Sequence, residues 1–364
     1  MSEIIPSPIP SIINKGRSWI AHGDNVITMS KTHKDADYLS EATIYLPLSG
    51  GVTTRGPEET NPMTITTRPD TTTRLKVKLH GGFGFTSCGL NGGTTGTTQR
   101  FDDVANSWTG RTAATARANL TGFSLNGFGF TSCGADITFT KVGITQRLDD
   151  VANTWTTRSP ATARSDLAGF SLNGFGFTSC GSDNTFTVVG TTERYDDAAD
   201  SWTTRAIATP GVALTGFSLC GQDNTFTNVG TTERYDDVAD TWTSRANATP
   251  RVYLAGFSLN GFGFTSCGAN NVTSVGTTER FDDVTNTWTA RADATARSDL
   301  AGFSLNGFGF TSCGLDVFNS DTGITQRFDD IANTWTGRTD ATARIDMAGF
   351  ATNEYFVNFM TENI

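Results

Sequence analysis

One segment of about 47 residues is copied along most of this chain. The string Gly-Phe-Ser-Leu-Asn-Gly-Phe-Gly-Phe-Thr-Ser-Cys-Gly stands at 122–134, 169–181, 256–268 and 302–314. A second string, Arg-x-Asp-Asp followed by a tryptophan, ends at Trp108, Trp155, Trp202, Trp242, Trp288 and Trp335, at intervals of 47, 47, 40, 46 and 47 residues. Copies at such a period are supersecondary units that bury their apolar faces only against neighbouring copies, either in a ring or in a helical array. Composition decides between the two. Thr, Gly (39 residues) and Phe (25 residues) dominate, and the strong helix formers are scarce. Helix propensity is therefore poor and strand propensity high throughout.

The unit that starts at Arg164 reads as two hairpins. Leu167–Leu172 alternates apolar and polar residues, and Asn173-Gly174 follows. Asn-Gly is the strongest two-residue hairpin signal, because a type I′ turn needs positive φ at both positions. Phe175–Cys180 returns as a second strand, Thr191–Tyr195 forms a third, Asp196–Asp200 turns, and Ser201–Thr204 is the fourth. Four antiparallel strands per copy make a β-propeller blade. At Arg164, Asn173-Gly174, Phe177, Cys180-Gly181, Glu193-x-Tyr195-Asp196 and Trp202 the unit resembles the kelch family, over roughly residues 61–361. It departs from that family in one recurring way, with Cys-Gly where kelch units carry a double glycine. The resemblance implies an all-β, kelch-type propeller.

Counting the partial copies at the ends, 75–89 and 345–361, predicts seven blades, the last built from both chain ends. N-terminal strands around 61–68 and 42–48 would pair with the C-terminal hairpin and close the ring. A six-bladed ring is the alternative. The copy before Trp242 is short by seven residues, so a strand there is missing or improvised. Residues 1–40 lie outside the repeat and read as an irregular arm, with 41–364 as the propeller. Ile12, Ile13, Trp19 and Ile20 are apolar residues of that arm without an obvious local partner. They are candidates for an anchor on another subunit, which would allow a homo-oligomer.

The chemistry visible in the chain is sparse. There are three His (His22, His33, His80), all before the main repeats, and no G-x-S-x-G, H-E-x-x-H or phosphate-loop motif. No catalytic residue, resident cofactor or metal ligand is expected, and the chain reads as a non-enzyme. The six cysteines recur in one slot per copy: Cys88, Cys133, Cys180, Cys220, Cys267 and Cys313. Equivalent slots in adjacent sheets lie about 10 Å apart, too far for a disulfide, so buried reduced thiols are expected. The repeated Arg and Asp residues read as ion pairs and Asp-stabilised turns. Asp-rich turns could also take Ca²⁺, although their spacing is not that of an EF-hand loop.

A net charge of −10 disfavours nucleic acid, which demands a basic face. No apolar run is long enough for a membrane helix, and the N-terminus shows no signal peptide. Function is expected where the copies differ. The segments after each Cys-Gly vary most: Leu90–Gly96, Ala135–Lys141, Ser182–Val188, Gln222–Asn228, Ala269–Val275 and Leu315–Thr322. Loops on a rigid scaffold usually carry recognition. Asn91, Asp136, Asp183, Asp223, Asn270 and Asp316 are therefore the candidate contact residues. The expected role is a structural or adhesin-like display propeller in a larger assembly, of virion or extracellular-surface type, binding protein or glycan. The rival is a glycan-active enzyme or lectin at the central channel. A polar cluster that breaks the repeat at the channel mouth would favour the rival.

Overall fold

A computed structural model describes residues 82–211, 218–223 and 225–352, together with the backbone of strands Ser18–His22, Val26–Ser30, Thr43–Pro47, Met63–Thr66, Thr73–His80 and Phe356–Asn363. The chain divides into two units, Phe83–Thr352 and Met1–Gly82 with Asn353–Ile364.

The larger unit is a six-bladed β-propeller. Blade 2 runs from the hub outward as Thr121–Leu125, Phe128–Ser132, Thr145–Asp149 and Thr154–Arg158, each strand antiparallel to the next. Blade 3 repeats it as Ala168–Leu172, Phe175–Ser179, Thr192–Asp196 and Ser201–Arg205. These bounds match the sequence reading of the Arg164 unit to within a residue or two. Blades 5 and 6 start at Ala255–Leu259 and Ala301–Leu305 and have the same order. Blade 4, the shortened copy, shows three described strands: Ser218–Gln222, Asn228–Asp236 and Thr241–Arg245.

The count is six, the alternative to the expected seven, and the ring closes as expected by pairing strands from the two ends of the repeat, in blade 1. Its outer strands Phe83–Ser87, Thr98–Asp102 and Ser107–Arg111 come from the start of the propeller, and its inner strand Ala348–Thr352 comes from the end. The two partial copies are halves of one blade, and counting each as its own hairpin gives one blade too many. The N-terminal strand that pairs with the inner strand Ala348–Thr352 is Phe83–Ser87, and Thr43–Pro47 shares a sheet with the C-terminal strand Phe356–Asn363. Thr43–Pro47 pairs with Thr73–His80, and Met63–Thr66 pairs with Val26–Ser30. Joining the ends in one sheet closes the ring without a free inner edge.

The repeated strings account for the packing. The Asn-Gly turns have φ of 52° and 80° at Asn173 and Gly174, as type I′ requires. The Phe-Gly-Phe strand needs its glycine because a Cβ at Gly176 would lie 2.2 Å from Cε2 of Phe123 in the preceding blade. Phe123 in turn stacks on Phe130 at 5.1 Å. The second Asp of each pair takes two arginines from the preceding blade: Asp103, Asp150, Asp197, Asp237, Asp283 and Asp330 form one belt around the ring. The first Asp folds the turn, with Asp196 Oδ1 accepting from the amides of Ala198 and Ala199. The Nε1 of each of the six repeat tryptophans donates to a carbonyl of the preceding blade, Trp155 to Thr112 at 2.9 Å. The six cysteines are buried thiols, as expected.

The smaller unit contains two three-stranded sheets, in the orders Ser18–His22, Val26–Ser30, Met63–Thr66 and Phe356–Asn363, Thr73–His80, Thr43–Pro47. Trp19 and Ile20 lie in the first of these strands, while Ile12 and Ile13 lie outside the described residues.

Candidate interaction face

Strand order fixes what each face of the propeller carries. The second strand of a blade ends on the side where the first begins. The segment after Cys-Gly therefore emerges beside the connection that enters the hub. Bridges tie the two together: Ala118 to Ala135, Ser165 to Ser182, Val252 to Ala269, Ser298 to Leu315 and Leu90 to Ile345. In blades 1, 2, 3, 5 and 6 the variable loops and the residues at the head of the inner strand thus share one face.

The candidate contact residues fold these loops. Asp136 Oδ1 accepts from the amides of Thr138 at 2.8 Å and Thr140 at 3.0 Å. Asp183 and Asp223 repeat the arrangement with Thr185 and Thr187, and with Thr225 and Thr227. Asn270 holds Val272 and Thr273, and Asp316 holds Phe318 and Ser320. These hydrogen bonds keep the Asp136, Asp183 and Asp223 carboxyls below the usual carboxylate range, the Thr hydroxyl contact leading in each. Asn91 donates its amide to the Gly93 carbonyl in the glycine-rich loop of blade 1.

What these turns push outward was not singled out from sequence. Phe139, Phe186 and Phe226 stand at the tips of loops 2, 3 and 4 and are 73%, 78% and 73% exposed. All three have φ of 60°, a left-handed conformation that is costly for a bulky side chain. The signal was present in Asp-x-Thr-Phe-Thr, since a phenylalanine three residues after a turn-forming Asp cannot reach the sheet core. Loops 1 and 5 lack the phenylalanine, and loop 6 offers Phe318 one position earlier. The aromatic tips therefore form an arc over three consecutive blades. Lys141 braces that arc. Its Nζ donates to Ser182 Oγ at 2.7 Å and lies 4.3 Å from the Phe186 ring centroid, and burial lowers its pKa.

The hub on the same face also breaks the repeat. Asn119, Asp166, Tyr253, Asp299 and Asp346 occupy one slot two residues before an inner strand, all with φ between 52° and 55°. Their backbones are joined around the axis. Asp166 N donates to Asn119 O, Asn119 N to Asp346 O, Asp346 N to Asp299 O and Asp299 N to Tyr253 O. Asn119 Nδ2 donates to Asp166 Oδ1 at 2.7 Å, and Ser298 Oγ donates to Asp299 Oδ2 at 2.8 Å. Burial raises the pKa of Asp166 and Asp299. Asp346 is pushed up to about 8, first by burial and then by the charges of Asp299 and Asp166. Burial raises the pKa of the Tyr253 hydroxyl, and the charges of Asp166, Asp299 and Asp346 raise it further. Among the described residues, no three His, Cys, Asp or Glu side chains are arranged to hold a metal ion. Asx turns of the candidate contact residues use their oxygens for the loops themselves.

No family model and no curated protein matches the chain. Solved structures do, with 276 matching chains. One, described as "Structure of YjhT", superposes with a TM-score of 0.58 at 10% identity, covering 74% of this chain and 95% of that one. At that identity the likeness is one of fold alone.

Proposed function

We propose that the chain is a non-enzymatic, kelch-like display propeller whose loop face binds protein or glycan within a larger assembly, of virion or cell-surface type. The carrying observation is the arc of Phe139, Phe186 and Phe226, exposed at the loop tips of three consecutive blades, with Phe318 of loop 6 likewise exposed. A phenylalanine buries roughly 150–250 Å². Three of them supply much of the ~800 Å² that one side of a standard protein interface contributes. The tips are held in place before contact by Asx turns, which limits the ordering cost of binding. Replacing all three with Ser should leave the melting temperature within about 2 °C of wild type, because exposed side chains contribute little to folding. The same variant should lose co-migration with the native assembly on gel filtration of source material. A wild-type chain that migrates there as a lone monomer sinks this reading.

A second reading draws on the hub. Its carboxyls break the repeat at the channel mouth, and Asp346 beside Asp299 is the kind of pair in which one acid stays protonated near neutral pH. Such a pair suits glycan hydrolysis or lectin-type sugar binding. Release of sugar from aryl glycosides or oligosaccharides, lost in both Asp299→Asn and Asp346→Asn, would establish it and displace the non-enzymatic reading.

A further inference from the structure

Five blades bury an arginine at one slot, and blade 4 does not. Arg117, Arg164, Arg251, Arg297 and Arg344 are each at most 1% exposed. In blade 3 the Arg164 Nη1 donates to the carbonyls of Cys180 at 2.7 Å and Thr191 at 2.6 Å. Its Nη2 donates to Thr178 Oγ1 at 3.0 Å and Glu193 Oε2 at 2.7 Å. Arg251 repeats the set with Cys267, Thr277, Thr265 and Glu279. The slot lies six residues after the arginine that follows each blade's tryptophan, Arg158 to Arg164 and Arg245 to Arg251. Six residues after Arg205 stands Gly211.

Several contacts around this slot match those of its sister blades. Gly181 N donates to Gly211 O at 2.8 Å, as Gly134 N does to Arg164 O at 2.8 Å. Cys220 Sγ donates to Thr249 O at 3.6 Å, as Cys180 Sγ does to Thr209 O at 3.4 Å. Glu233, 6% exposed, takes the Thr209 amide at 2.9 Å and hydroxyl at 2.7 Å, as Glu193 takes those of Thr162. Residue 211, a glycine, supplies no guanidinium. Among the described residues no Lys, Arg or His pairs with Glu233, whereas Glu193 and Glu279 each hold an arginine. A buried carboxylate gains from a counter-charge, and blades 3 and 5 supply that charge as a guanidinium.

We propose that blade 4 is a receptor for a guanidinium group, bound by the Glu233 carboxylate and the Cys220 and Thr231 carbonyls. A planar fork of N–H donors fits a carboxylate on one edge and two carbonyls on the other, and a lysine ammonium does not. The inference goes beyond the loop-face reading, because its ligand is a small cation and needs none of the phenylalanine tips.

The test is thermal unfolding of the full chain at constant ionic strength, with guanidinium chloride at about 10 mM, an arginine-containing tripeptide, its lysine counterpart, or NaCl. Wild type should gain about 2–4 °C, saturably, with the guanidinium compounds alone. Gly211→Arg, which supplies the group covalently, should melt higher than wild type without ligand and show no further gain. Glu233→Gln should lose the response, and if it does not fold, Gly211→Arg decides. A gain with the free ion but not the tripeptide supports the site and assigns it to a small guanidinium ligand in place of a partner's arginine. A wild-type response no larger than that to NaCl, or a Gly211→Arg response equal to wild type, overturns the proposal.

Discussion

At the scale of single residues the molecule repeatedly places side chains in the left-handed region, and each case has its own justification. Cys88, Cys133, Cys180, Cys220, Cys267 and Cys313 have φ between 52° and 64°, where glycine would sit without penalty. The left-handed conformation costs roughly 1–2 kcal/mol in a non-glycine residue. Against that stand a fully buried thiol that donates to a threonine carbonyl, Cys180 to Thr209, and a carbonyl that receives an arginine, Arg164. The two sides are of similar size. Cys180→Gly should therefore change stability by less than about 1 kcal/mol. Cys180→Val adds a β-branch to a left-handed residue and should cost more than about 2 kcal/mol. Chemical denaturation of both variants checks the pair, and equal losses would show that thiol packing, not backbone conformation, governs the slot. The sequence marks this slot as a small buried thiol. It does not mark the conformation, because Cys-Gly carries no turn preference of its own.

At the scale of the element, periodicity carries nearly everything. Asn173-Gly174, the Phe-Gly-Phe strand and the Arg-x-Asp-Asp turn each have one physical solution, so strand bounds in the Arg164 unit were legible almost residue by residue. The reading of the Arg and Asp series as ion pairs and turns also holds, with a division of labour only coordinates reveal: the first Asp folds its own turn and the second binds the neighbouring blade. The blade count was less legible. A hairpin motif looks the same whether its two strands are joined by a turn or arrive from opposite ends of the chain. The exposed phenylalanines were missed because the loops were read for their polar residues, and those residues are consumed in folding the loops that display Phe139, Phe186 and Phe226.

At the scale of the whole molecule the six blades meet at a hub whose charge state is coupled to folding. Asp346 has its pKa raised to about 8 beside Asp299, Asp166, Asp321 and Tyr253, and an unfolded aspartate titrates near 4. Between those two values the folded chain keeps a proton that the unfolded chain has released. Stability therefore falls as pH rises through this window, by up to about 1.4 kcal/mol per unit for one proton. The contribution is complete below pH 4 and gone once the pH passes about 8. Asp299 and Asp166 are shifted in the same direction and add to the slope. Asp346→Asn keeps the shape and removes the titration. The variant should melt about 3–6 °C above wild type at pH 8 and show a flatter dependence between pH 5 and 8. Melting curves across that range decide the matter: parallel profiles for the two proteins would mean that the hub carboxyls ionise freely and that the ring is held together by its blade-to-blade belt alone.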